Sequence, residues 1–187
     1  MPDTTQLSKN YSVAQYKKLE AAQPPNKAEI AKFFGERFTE RYITPINAAG
    51  RPHKHGFCTM AVSCLMIEAL ESFWCGWPDT EHRSQLAFCQ FFQRTPALSA
   101  FFGFVPQFYK NVRCGILHQA ETTGGWHIER QGELFEPKML TINATKFHAE
   151  VGESLSAHAR LLISSDWDSE LWTNFRNKMK QVCKNCS

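Results

Sequence analysis

Phe57-Cys-Thr-Met-Ala-Val-Ser-Cys-Leu-Met-Ile-Glu-Ala-Leu-Glu-Ser-Phe-Trp74 carries apolar residues on every side of a helix. Met60, Val62, Leu65, Ile67, Leu70 and Phe73 face different ways. A helix that is apolar all round belongs in the middle of a packed protein rather than on its surface. Gly76-Trp77-Pro78-Asp79 stops it. Phe57–Ile67 is too short to cross a bilayer, and Glu68 and Glu71 interrupt the apolar residues beyond it, so no membrane span is expected. The chain is expected to wrap other helices around this one.

Toward the N-terminus, Asn26 caps a helix whose Ile30, Phe33, Phe34, Phe38 and Tyr42 recur at three- and four-residue steps. Pro45 ends or kinks it, and residues 47–55 read as a loop that is locally basic through Arg51, His53, Lys54 and His55. Residues 1–25 read as an arm on the surface. Within it Ser12-Val-Ala-Gln15 has the form of a capping box for a short helix that Pro24-Pro25 terminates.

Toward the C-terminus, Ser84–Gln93 forms a shorter helix through Leu86, Phe88, Phe91 and Phe92, and Phe101–Phe104 is an aromatic connector. Pro106 suits the first turn of a helix running to Glu121, which Gly124-Gly125 breaks. Trp126–Arg130, a turn at Gln131-Gly132 and Leu134–Glu136 suggest a hairpin, joined by Met139–Ile142. Asn143 caps a helix carrying Phe147, Val151, Leu155 and Leu162, with His148 and His158 on its exposed side. A last helix from about Asp166 opens acidic and closes on Lys178, Lys180 and Lys184, as the helix dipole favours.

The fold class that results is mainly α, a bundle of five to six helices with a small β-hairpin insert. It divides into an arm (1–25) and one helical domain (26–183) with the insert near 126–142. Met60, Leu65, Ile67, Leu70, Phe73, Val112 and Ile116 are expected to be buried together.

Composition supports a folded chain. Of 187 residues, 43% are hydrophobic and Phe occurs 15 times, which excludes wholesale disorder. The 21 Lys and Arg against 18 Asp and Glu leave a net charge of +3, too small to announce a dedicated nucleic-acid binder. The polar start has no apolar signal segment, so the seven Cys read as reduced thiols of a cytoplasmic protein.

The chemistry centres on residues 108–126, Phe108-Tyr-Lys-Asn-Val-Arg-Cys-Gly-Ile-Leu-His-Gln-Ala-Glu-Thr-Thr-Gly-Gly-Trp126. Phe108, Tyr109, Val112, Ile116 and Ala120 make a core face. Asn111 and His118 lie within about 20° of each other on the opposite side, with Gly115 opening a notch between them. Glycine inside a helix costs ~1 kcal/mol against alanine, so the notch suggests close approach by a ligand or a partner helix. Arg113 is about 140° around from His118 on an ideal helix. A two-fold dimer would bring Arg113 of one chain to His118 of the other.

Arg113-Cys-Gly-Ile-Leu-His118 resembles the Arg–x4–6–His pattern of the HEPN superfamily (higher eukaryotes and prokaryotes nucleotide-binding domains). More narrowly, residues 30–165 resemble a group of uncharacterised bacterial proteins with a Val-Arg-Cys-Gly-Leu-Leu-His segment. The resemblance implies a dimerising helical bundle and a metal-independent endoribonuclease. Arg113 and His118 would be catalytic, and Glu68 the polar residue on the earlier helix. It also implies RNA as substrate, a toxin or defence setting with an antitoxin-like partner, and no cofactor. Cys114 departs from the pattern, because a polar residue, often Asn, usually follows the Arg. The alternative implied is an inactive HEPN-like module that binds RNA or protein.

The chemistry suits the residues. A neutral imidazole can take a proton from a ribose 2′-hydroxyl. A guanidinium can grip the scissile phosphate through two hydrogen bonds. Arg113 could equally pair with Glu121 or Glu68 as a structural bridge. Elsewhere, Cys183-Lys-Asn-Cys186 has zinc-ligand spacing but no second such pair, and reads as a frayed tail with two exposed thiols. Trp126 and His127 could stack on a base, though Trp126 more simply pins the hairpin to the bundle. No nucleophile elbow and no phosphate-binding glycine loop occurs.

Overall fold

The structure is a computed structural model that describes residues 4–49 and 54–186. Arg51 and His53 of the basic loop lie outside the described residues.

Among those described, seven helical stretches and one small sheet occur. Helix α1 is Val13–Ala21. Helix α2, Lys27–Phe38, continues through a π turn at Thr39–Ile43 into Thr44–Ala48. Helix α3 is Gly56–Cys75 and α4 is Ser84–Arg94, followed by a 3-10 stretch, Pro96–Phe104. Helix α5 is compound: Val105–Phe108, a π turn at Tyr109–Arg113, then Cys114–Gln119. Helix α6 is Ala144–Ser164 and α7 is Glu170–Asn185. The expected boundaries therefore hold to within a few residues, except that Pro45 does not end α2. Proline is tolerated in a first helical turn, and here it falls at the start of Thr44–Ala48.

The chain divides into two compact units. One comprises residues 4–45, 72–79 and 155–186, the other 46–49, 54–71 and 80–154. In the first, the N-terminal segment is packed rather than a loose arm. Ser12 and Gln15 form the expected capping box, and Leu7, Tyr11, Val13 and Tyr16 are buried. Tyr11 and Tyr16 lie 5.3 and 5.7 Å from the Phe33 ring. Phe34 meets Phe73 at 5.0 Å and Phe175 at 5.4 Å, and His158 packs edge-on against Phe34 and Trp74. His158 is thus a core residue, not an exposed one. Asn26 and Ser169 cap α2 and α7 through their side chains. The C-terminal stretch is helical to Asn185 and Cys183 is buried, so it is not a frayed tail.

The second unit is built on aromatic rings. Phe92 contacts Phe88, Phe101 and Phe108, and Phe108 stacks on Phe147 at 5.7 Å. Each such pair contributes ~0.5–1.5 kcal/mol beyond area burial. The unit also holds three short strands, β1 (His127–Glu129), β2 (Phe135–Glu136) and β3 (Thr141–Asn143), in the order β1-β3-β2. The expected hairpin of β1 with β2 does not form. Strand β3 lies between them, parallel to β1 and antiparallel to β2. Trp126 explains the departure. It is buried and stacks face to face on Phe135 at 5.6 Å, which places β2 under the indole rather than beside β1. Asn143 caps α6, accepting from the amides of Thr145 and Lys146 at 3.1 Å each.

Helix α3 is long and apolar enough to cross a membrane by length and composition, the test that Glu68 and Glu71 were expected to fail. Within this structure it is a core helix, with 56% of its most apolar window buried. Glu71 is fully buried and held by both terminal nitrogens of Arg94. Met60, Ile67, Leu70 and Val112 are buried as expected, and Phe73 is buried in the first unit. Leu65 is not: it is 48% exposed, and Ile116 is only half-buried. Helix α3 therefore has one open stripe, Cys58, Ala61 and Leu65, at three- and four-residue steps.

Candidate functional site

The open stripe of α3 leads to Glu68, one turn beyond Leu65. In α5 the buried face is Val105, Phe108 and Val112. The π turn at Tyr109–Arg113 widens the helix there, as π segments do at many functional sites. Arg113, its last residue, donates from Nε to Oε1 of Glu68 at 2.8 Å, with the two side chains 21% and 12% exposed. Oε2 of the same carboxylate accepts from Thr80 Oγ1 at 2.9 Å and from Ser84 Oγ at 2.8 Å. Three donors from two other segments thus fix one carboxylate.

The electrostatics are set by that geometry. Burial disfavours the Arg113 charge, but the hydrogen bond and charge of Glu68 outweigh it and hold the guanidinium above its usual pKa. Cys114 lies within hydrogen-bonding reach of Arg113, and the guanidinium carbon is 5.7 Å from the Tyr109 ring centroid. Burial first, then the Glu68 charge, push the buried Cys64 thiol up. Burial and then Cys114 raise the Tyr109 phenol. The cluster holds a charged arginine beside a thiol, Cys64, and a phenol, Tyr109, that are both pushed up.

Of the residues singled out in the sequence, Glu68, Arg113 and Cys114 meet here. Glu121 does not pair with Arg113; its carboxylate accepts from the amide of Thr122 instead. Asn111 is turned to a structural task. Its side-chain oxygen accepts from Thr123 Oγ1 at 2.9 Å and its backbone carbonyl from Thr123 N at 3.0 Å. Gly115 is buried, and its notch is filled by the chain itself. A Cβ there would stand 2.6 Å from the Glu121 carbonyl oxygen and 3.4 Å from Thr122 Cα. Ala120 makes this possible by taking the left-handed conformation (φ 54°) at the helix end, which folds Glu121–Thr123 back over Gly115. The close approach foreseen at Gly115 is thus intramolecular.

His118 stands apart. It is exposed in the last turn of Cys114–Gln119 and bonds to no described residue. That turn is α-helical, so the separation of about 140° from Arg113 stands. Leu117, one turn beyond Arg113, is 61% exposed. Leu65 and Leu117 therefore flank the Glu68–Arg113 pair, each one turn from its own member.

Thr80, Ser84 and Tyr109 are members of the cluster that sequence reasoning did not select. The available signal was two hydroxyls four residues apart at the mouth of α4. Among the described residues no three His, Cys, Asp or Glu side chains converge to hold a metal. None of the seven cysteines is joined in a disulfide to another described residue. Lys54 is exposed, and His55 Nδ1 lies 3.2 Å from Arg130. Trp126 is committed to the core.

Sequence reasoning also mistook His148. It is buried on α6, with Nδ1 2.9 Å from Ser63 Oγ on α3. Ser63 in turn donates to the Thr59 carbonyl at 2.7 Å. Burial holds His148 below the ordinary histidine pKa, and its Nε2 has no hydrogen-bond partner among the described residues.

The chain finds no counterpart among family models, among curated proteins or among solved structures. The geometry alone must carry the functional reading.

Proposed function

We propose that this is a HEPN-like, metal-independent endoribonuclease whose site is completed by a second copy of the chain. One observation carries the reading: Arg113 is a part-buried cation fixed by Glu68, while the imidazole farther along its helix, His118, faces elsewhere. A two-fold axis passing the exposed Leu65 and Leu117 would cover both leucines and bring His118 of one chain to Arg113 of the other. His118 would then take the proton of a ribose 2′-hydroxyl. Arg113, oriented through Nε, would stabilise charge on the phosphate with its terminal nitrogens. The 2′-oxygen attacks phosphorus, the 5′-oxygen leaves with a proton, and a 2′,3′-cyclic phosphate remains.

The test is cleavage of mixed RNAs by the purified protein. His118→Ala and Arg113→Ala should each lower the rate by roughly 10²–10⁴-fold with the fold intact. Arg113→Lys should rescue poorly, because an ammonium lacks the planar fork. Mixing the two inactive alanine variants should restore part of the activity, since one of two shared sites is then whole. Full activity of His118→Ala, or activity lost with EDTA, would refute the mechanism.

Cys114 favours a second reading, an inactive module that binds RNA or a protein partner, antitoxin-like in the setting the resemblance implies. Its thiol stands beside the guanidinium where the HEPN pattern usually has a polar residue. On that reading the variants above bind RNA unchanged and no wild-type cleavage is seen.

A further inference from the structure

A cleft of about 500 Å³ opens in the first unit between α1 and α7. That volume lies in the range of small-molecule sites. Tyr16, Lys17 and Glu20 line it from α1, and Arg176, Lys180 and Lys184 from α7. The three α7 cations recur at four-residue steps, so they share one face and are spaced by about 6 Å along the axis. Four cations thus face one carboxylate across a concave surface. Like charges four apart on a helix repel, and neither Lys180 nor Lys184 forms an ion pair with a described residue. The row also complements the negative end of the α7 dipole, but that would be served by lysines on any face.

Two features make this more than a solvated helix surface. Arg176 is held in place: its guanidinium lies 4.5 Å from the Trp167 ring centroid, and Nη1 donates to the Trp167 carbonyl at 2.8 Å. The wall is also partly dry. Tyr16 is only 2% exposed. Glu20 is the one acidic lining group; burial raises its carboxyl, against the opposing pull of the Tyr16 hydroxyl and the Arg176 charge.

We infer that the α1–α7 cleft binds phosphate groups, and that its row of Arg176, Lys180 and Lys184 fits the repeating phosphates of a single-stranded oligonucleotide. This inference concerns a site separate from Arg113 and does not require cleavage. The probes are a fluorescent eight-nucleotide oligo(U) of non-cleavable 2′-O-methyl chemistry, and ATP as the free-nucleotide arm. Binding of the oligomer should weaken with salt, with a slope near −2 in log K against log salt, as three neutralised phosphates on a single strand require. Lys180→Ala/Lys184→Ala should weaken it at least about tenfold and flatten the slope to about −0.7. Lys138→Ala, at an exposed lysine of the other unit, should leave it unchanged. Binding of ATP with the same loss in the double variant supports a phosphate site of mononucleotide reach. His118→Ala must still bind, so failure of the nuclease reading leaves this one standing. Absence of binding in both arms, or binding that the double variant retains with an intact circular dichroism spectrum, overturns it.

Discussion

Two glycines within helices should answer the same substitution with opposite signs. At Gly35 in α2 a Cβ would meet nothing within 4 Å, so Gly35→Ala should gain close to the full difference in helix propensity, ~1 kcal/mol. At Gly115 the propensity gain is the same, but the new Cβ would stand 2.6 Å from a backbone oxygen. Restoring a contact of about 3.4 Å requires Glu121–Thr123 to move by about 0.8 Å. That segment is pinned by two hydrogen bonds from Thr123 to Asn111 and one from Thr122 Oγ1 to the Trp126 carbonyl at 2.6 Å. Overpacking against fixed backbone costs ~1–3 kcal/mol, and a weakened hydrogen bond adds about 1 kcal/mol. Gly115→Ala should therefore lose roughly 1–3 kcal/mol, separating the two variants by about 2–4 kcal/mol. Urea denaturation followed by circular dichroism would measure both midpoints, and hydrogen exchange at 121–123 would locate the disturbance. If Gly115→Ala stabilises as much as Gly35→Ala does, the loop is not packed on that glycine and the notch is open.

Other consequences can be checked on the same material. Arg94→Met removes the ion-pair partner of the buried Glu71 carboxylate and should cost ~3–5 kcal/mol, most of it recovered by adding Glu71→Leu; a single variant as stable as wild type would contradict the pairing. His148 is held below its unfolded pKa by burial, so the unfolded chain binds the extra proton first. Its contribution is present above about pH 6.5 and is lost as pH falls through the lowered folded value. Denaturation midpoints should thus decline from pH 6.5 to 5, and His148→Gln should flatten that decline; an unchanged slope in the variant would assign it elsewhere.

How much of this was legible in the sequence depended on the range of the interaction that settled each feature. Ser12 with Gln15, Asn26 and Asn143 act within four residues of themselves, and each cap was readable because the signal and the structure are equally local. The α2 stripe of Ile30, Phe33, Phe34 and Phe38 was readable for the same reason. The β order was not, because a ring contact between Trp126 and Phe135 outweighs the short-turn logic of a hairpin. Leu65 was misplaced because a helix rich in apolar residues gives no sign of which one the neighbours leave bare. His148 and His158 were misplaced because periodicity beside polar residues suggested solvent, whereas a serine in one case and aromatic rings in the other make burial tolerable. Around the site, Arg113 could be paired in sequence only with either Glu121 or Glu68. The choice of Glu68, 45 residues away, is made by tertiary packing.

The Glu68–Arg113 pair bears directly on whether that cluster is structural or chemical. A purely structural bridge needs one carboxylate oxygen for one guanidinium. Here the second oxygen is also fully used, by Thr80 and Ser84, so the carboxylate has little freedom to follow Arg113 if the arginine moves. Such a support preorganises Arg113 through its Nε, with the Cys114 thiol beside the guanidinium. On the proposed nuclease reading, His118, which bonds to no other described residue, would take its tautomer and direction from a second copy of the chain docked over the exposed Leu65 and Leu117.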